Sequence, residues 1–197
     1  MNRSLIVILI LFTTMLSGCT NFAIQQEIRE VEDFDRIIVG GLADVFVTQS
    51  DHQQVKVIAR GMPITDVITD IENGTLTVTT QGYHSGESVK VYVTYKQLKS
   101  IKTSGSATLT GENQLVAEKI SIVTTDAGDI TNLSLTAKQL SVQINDSANA
   151  NLVVQVEKSN IEMNDAGDLD ISGVAHQQQL RSHGSRGTLN NTQLKYN

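Results

Sequence analysis

Ile120-Ser-Ile-Val-Thr-Thr-Asp-Ala-Gly-Asp-Ile130 reads against Leu140-Ser-Val-Gln-Ile-Asn-Asp-Ser-Ala-Asn-Ala150, and both read against Ile161-Glu-Met-Asn-Asp-Ala-Gly-Asp-Leu169. A short turn closes each unit and recurs on either side of them. It runs Ser106-Ala107-Thr108-Leu109, Ala127-Gly128-Asp129-Ile130, Ala148-Asn149-Ala150, Ala166-Gly167-Asp168-Leu169 and Arg186-Gly187-Thr188-Leu189. Its last apolar residue advances through positions 109, 130, 150, 169 and 189, a beat of about twenty residues. Other columns keep the same time: Ile122, Val142 and Ile161; Leu133, Leu152 and Ile171; Ala137, Val156 and Ala175. Within a unit Leu140, Val142 and Ile144 alternate with Ser141 and Gln143, which is the pattern of a strand buried on one face.

This period is too short for a propeller blade and contains no helix for a leucine-rich repeat. It fits one coil of a β-solenoid, in which coils stack at ~4.8 Å and equivalent residues form ladders. The Gly and Asn residues of the corners are expected to supply positive φ where the path bends. A β-sandwich of ordinary hairpins is the alternative, but it offers no reason for corner chemistry to return at a fixed interval. The expected fold class is therefore all-β, a solenoid with ~20-residue coils from Leu98 onward.

The first half is less regular. Strands are expected at Arg36–Val39, Asp44–Thr48, Gln54–Ala59, Val67–Ile71, Thr75–Thr79 and Ser88–Tyr95. Asn73-Gly74 between two alternating runs signals a hairpin, because both residues of such a turn take φ > 0. A bare solenoid end invites edge-to-edge pairing, so this irregular hairpin region is expected to act as a cap. At the other end Leu180–Asn197 loses the apolar beat, with Arg181 expected in the column of Ile122, Val142 and Ile161.

Met1-Asn2-Arg3 followed by an apolar run from Leu5 to Phe12 has the layout of a secretory signal peptide. That run is far shorter than the ~20 residues of a membrane-spanning helix. Leu16-Ser17-Gly18-Cys19 resembles the lipobox of bacterial lipoproteins, in which the cysteine is lipidated and the preceding peptide removed. The alternative is an ordinary signal peptide that happens to hold Cys19. Thr20, where an inner-membrane-retained lipoprotein carries Asp, resembles an outer-membrane destination. The expected organisation is a signal peptide over 1–18, a lipidated Cys19 and tether over 19–33, and a single solenoid domain over 34–197. Cys19 is the one cysteine of the chain, so the lipid-anchored domain holds no internal disulfide. A formal charge of −6 without a Lys/Arg cluster excludes a nucleic-acid surface.

Phe34-Asp35-Arg36-Ile37-Ile38-Val39 and Ala43-Asp44-Val45-Phe46-Val47-Thr48-Gln49 resemble the start of the auto-transporter adhesin head GIN domain family. So do Glu72-Asn73-Gly74-Thr75-Leu76-Thr77-Val78 and Val89-Lys90-Val91-Tyr92-Val93-Thr94. The family's Gly-Ser-Gly-Asp corners are similar to Thr103-Ser104-Gly105-Ser106, Asp126-Ala127-Gly128-Asp129 and Asp165-Ala166-Gly167-Asp168, with an added carboxylate at the latter two. The resemblance spans about residues 34–189. It implies a right-handed parallel β-helix on a cell-surface or periplasmic protein, and no enzyme activity.

Among site candidates, Asp126, Asp146 and Asp165 occupy equivalent corners, with Asp129, Asn149 and Asp168 three residues on. Like charges stacked at ~4.8 Å repel by about 1 kcal/mol per pair even in water. A Ca²⁺ ion bridging them removes that penalty. The competing explanation is turn chemistry, since Asp and Asn bond their own backbone and tolerate tight corners; on that account there is no cofactor. Asn145 and Asn164 are expected to stack as an amide ladder. His52, His84, His176 and His183 show no metal-ligand spacing. No Gly-x-Ser-x-Gly elbow occurs, and no acid–base pair can be assigned. The catalytic residues are thus none, and the expected function is a non-enzymatic, lipid-anchored outer-membrane module facing the periplasm or the exterior. Its partner is an envelope protein or a polysaccharide, and no contact residue is assigned. The alternative is a carbohydrate-active enzyme or glycan-binding protein using the Asp-rich corner face.

Overall fold

The computed structural model describes residues 8–9, 24–82, 88–184, 187–191 and 194–195. Cys19 and Thr20, like Tyr83, His84 and Arg186, lie outside the described residues. The strands are β1 (Ile8–Leu9), β2 (Ile24–Arg29), β3 (Arg36–Val39), β4 (Asp44–Gln49), β5 (Gln54–Arg60), β6 (Val67–Glu72), β7 (Thr75–Thr80) and β8 (Ser88–Tyr95). There follow β9 (Ser100–Thr103), β10 (Thr108–Gly111), β11 (Leu115–Thr124), β12 (Asp129–Ile144), β13 (Asn149–Asn164), β14 (Asp168–His183), β15 (Leu189–Asn190) and β16 (Leu194–Lys195). Among the described residues no helix is long and apolar enough to cross a membrane.

The strands wind into a β-solenoid of about 4 turns. Leu109 lies opposite Ile130, Ile130 opposite Ala150, Ala150 opposite Leu169 and Leu169 opposite Leu189, every pairing parallel. This is the beat read from the sequence, now as a vertical column. It continues upward beyond the visible repeat, because β10 pairs parallel with β4 (Leu109 opposite Val45) and β4 with β8 (Val45 opposite Val91). The first half therefore contributes coils of its own. Val91, Val45, Leu109, Ile130, Ala150 and Leu169 of this column are withdrawn from water, worth roughly 1.5–3 kcal/mol for each Val, Leu or Ile, and Leu189 at its foot is half-buried.

At the N-terminal end both walls of the solenoid finish in antiparallel strands. On one wall β5 pairs antiparallel with β8, and β2 with β5. On the other, β6 and β7 form the expected hairpin, with Asn73 at φ 50° and Gly74 at φ 73°. Arg29 ties the two walls together across this end. Its guanidinium donates from Nη1 to the Val67 carbonyl at 2.7 Å and to Thr69 Oγ1 at 2.8 Å, and from Nη2 to Glu27 at 2.9 Å. The stretch Ile24–Arg29, expected within the tether, is thus a strand of the cap. β1 pairs antiparallel with its end, Ile8 opposite Arg29.

At the other end the register corrects one expectation. Leu180, not Arg181, stands opposite Ile161 in the column of Ile122 and Val142, and Arg181 pairs with Glu162. Two successive coils of nineteen residues bring the column to Leu180, which is 41% exposed. The coil that covers its neighbours elsewhere does not extend over it.

The corners bear out another expectation only in part. In one stacked column the left-handed residue is glycine at Gly41 (φ 73°) and Gly105 (69°), but aspartate at Asp126 (61°), Asp146 (58°) and Asp165 (65°). Gly128 and Gly167 are needed for a different reason. They lie in a column with the buried Ala107 and Ala148, where the backbone of one coil presses on the next. A Cβ on Gly167 meets the Ala148 carbonyl oxygen at 2.7 Å.

Candidate functional site

The aspartate column is built first by the backbone. Asp is among the few residues besides glycine that take a left-handed corner readily, because its short carboxylate bonds locally. Asp126 Oδ2 accepts from the Gly105 amide at 3.2 Å, and Asp146 Oδ2 from the Asp126 amide at 3.3 Å. Each of these carboxylates thus caps the corner of the coil before it. In the second column Asn149 donates to Asp129 at 2.9 Å, and Asp168 accepts from the Thr188 amide at 2.7 Å. Among the described residues no group of three or more His, Cys, Asp or Glu is gathered as a metal site. Asn164 donates to Asn145 at 2.9 Å, forming the amide ladder one residue before the corner.

A different part of each coil makes a large concavity. Alternation of buried and exposed residues breaks where two consecutive side chains face water: Glu118-Lys119, Lys138-Gln139, Glu157-Lys158 and His176-Gln177. The chain bends there, with Ala117, Ala137, Val156 and Ala175 before the bend and Ile120, Leu140, Ser159 and Gln178 after it. Register stacks these positions coil upon coil. Along the bend runs a groove of about 1080 Å³, lined from Gln97–Lys99 through the successive rungs to Gln177–Gln179. Buried Leu98, Ile120 and Leu140 contribute apolar surface; Ser121, Ser141, Asn160, Gln139, Gln177 and Gln179 contribute hydroxyls and amides.

The charges of the groove are unequally committed. Lys99 donates to Asp35 at 2.6 Å, and that bond is the main cause holding the Asp35 carboxyl below its ordinary value. Lys138, one coil below, donates to Glu118 at 3.1 Å and likewise lowers the Glu118 carboxyl. Lys119 and Lys158 form no ion pair among the described residues, and they stand two rungs apart with Gln139 between. Ser159 is 4% exposed and lines the groove, yet its Oγ has no hydrogen-bond partner among the described residues. A buried hydroxyl of that kind is uncommon and calls for an explanation.

These residues were not singled out from the sequence, although the signal is present. Positions 119, 139, 158 and 177 follow the beat of the core columns, but as Lys, Gln, Lys, Gln. Attention to apolar columns passes over a polar one. His52 is exposed beside Ser50 and Asp51, and His176 and His183 are exposed seven residues apart on the same strand, β14. Phe46 and Tyr92 stack at 5.0 Å on the outer face, flanked by Lys90 and Lys56. Their ring faces are turned to each other, so that patch offers little platform for a ligand.

A family model described as "Putative auto-transporter adhesin, head GIN domain" matches residues 33–196. No curated protein sequence matches the chain. Among solved structures, a "putative lipid binding protein" from Parabacteroides distasonis superposes with a TM-score of 0.78 at 19% identity, covering 90% of this chain and 76% of that one. A "putative adhesin" from the same species gives 0.64 at 16% identity, over 86% of this chain and 97% of the other. One from Bacteroides fragilis gives 0.59 at 16% identity, with the same coverage. At these identities the likeness is one of fold.

Proposed function

The chain belongs to the auto-transporter adhesin head GIN domain family, and from that premise we propose that it is a non-enzymatic, adhesin-like binding module of the cell envelope. The observation that carries the reading is the groove. It crosses several stacked coils, as suits an extended partner, and its lining sets amides, hydroxyls and lysines around apolar Leu98, Ile120 and Leu140. Glycoside hydrolysis generally needs two carboxyl groups facing the scissile bond. The single carboxylate of the described lining, Glu118, is engaged by Lys138. Attachment is through lipid on Cys19 at the outer membrane, which leaves the solenoid projecting from the bilayer into the periplasm or to the exterior.

The test is made in cells. A strain carrying the full chain is compared with a deletion strain for attachment to glycan-coated and protein-coated surfaces, and intact cells are shaved with protease. The expected result is loss of attachment on deletion and removal of the domain by shaving. Unchanged attachment refutes the adhesin role. Release of new reducing ends from a polysaccharide, abolished by Asp146→Ala, establishes an enzyme instead. Metabolic labelling with palmitate, lost in Cys19→Ala, tests the anchor.

A further inference from the structure

We infer that the groove along the coil bend binds an extended acidic polysaccharide in which a carboxylate-bearing sugar alternates with a neutral one. This rests on the binding reading given above and names the ligand class. The first support is charge. The chain as a whole carries −6, so a site for anions must be local. Lys99 and Glu118 are paired with Asp35 and Lys138, which leaves Lys119, felt by Glu118 only beyond ion-pair distance, and Lys158 as the charges of the lining that form no ion pair among the described residues.

The second support is spacing. Lys119 and Lys158 are separated by one rung, occupied by Gln139, and Gln177 follows below. Two rungs amount to about 9–10 Å, the length of a disaccharide in an extended chain. A cation, an amide, a cation and an amide therefore face an acidic sugar, a neutral one, and so on. The third support is Ser159. Its buried, unpartnered Oγ lines the groove between the rung of Leu140 and that of Gln178. A sugar hydroxyl lowered onto the bend satisfies it.

Other polymers fit less well. The groove runs across the strands rather than beside an edge, so a peptide finds no backbone ladder to extend. Two isolated lysines are too few for a nucleic-acid backbone.

The probe is hyaluronan oligosaccharide, titrated into the full chain in detergent micelles, with dextran and poly-glutamate as comparators. Binding is expected for hyaluronan and to weaken with added salt. Lys119→Gln and Lys158→Gln, both on exposed side chains, are each expected to weaken it about three- to fivefold, and the double variant further. Ser159→Ala is expected to weaken binding about threefold without lowering the melting temperature, which a purely structural role does not produce. Failure to bind hyaluronan, equal binding of dextran or poly-glutamate, or wild-type affinity in the double variant each overturns the inference. Because the adhesion test deletes the whole chain, attachment can persist while hyaluronan binding fails. That combination removes this ligand class and leaves the adhesin reading standing.

Discussion

Thr103→Val and Thr124→Val probe the interior of the solenoid where its chemistry is least expected. The two threonines lie opposite each other on adjacent coils, in a column that runs from Val39 through both to Ile144 and Met163. Both are 0% exposed, and neither Oγ1 has a hydrogen-bond partner among the described residues. A buried hydroxyl left without a partner costs about 1–3 kcal/mol. Valine has the same branched shape and χ1 preference, so the substitution removes the polar atom with little change in packing. Each variant is therefore expected to gain about 1–2 kcal/mol, because the methyl also restores apolar contact. For a chain of this length, that raises the melting temperature by about 2–4 °C per kcal/mol. The double variant is expected to gain less than the sum, since the two side chains touch the same space. Guanidinium titration reads the result as a higher midpoint at unchanged slope. Destabilisation by either single variant refutes the reasoning, and means that the hydroxyls hold a buried water that the column needs.

Arg29→Met removes the tie between the two walls at the N-terminal cap and strands Glu27, at an expected cost of about 3 kcal/mol; urea titration measures it, and a loss within error shows that the walls close without it. Asp146→Asn keeps both the left-handed preference and the acceptor for the Asp126 amide, so its stability is expected to stay near wild type. Asp146→Val at the same corner is expected to lose about 1–2 kcal/mol. If the column is a corner device, as this reasoning holds, the melting temperature is equal in millimolar Ca²⁺ and in chelator, and a rise with Ca²⁺ contradicts it. The Asp35 carboxyl, bonded by Lys99, sits below its ordinary 3.8 in the folded chain. Its stabilising contribution is therefore present above that value and lost as pH falls through the lowered one. Lys99→Met is expected to bring the Asp35 titration back toward 3.8, as followed by carboxyl NMR shifts, and to flatten this part of the acid limb.

The solenoid was legible because identical spacing and identical polarity recur together. The column of Leu109, Ile130, Ala150 and Leu169 and the Asn145–Asn164 ladder were visible as letters, and pair as expected. The strands of the first half were legible too, with Asn73-Gly74 at their hairpin. Their place in the winding was not, because β4 and β8 stack above β10 without repeating its sequence. Residues 24–29 read as tether because their polar side chains hide what the backbone does. A cap strand needs only one satisfied edge and one anchored side chain, here Arg29.

Amino-acid order alone determined the coil length, the inward columns and the alternation within each strand. These follow from local rules, a period of two along a strand and a fixed number of residues per circuit. Tertiary structure decided that it is the corner aspartates, rather than Gly128 and Gly167, that turn left-handed, and that two walls are clamped by one guanidinium. It also decided that a bend in every coil leaves a groove with Lys119, Lys158 and Ser159 in it. Concavity and the absence of a partner belong to the space between coils, and no stretch of chain contains that space by itself.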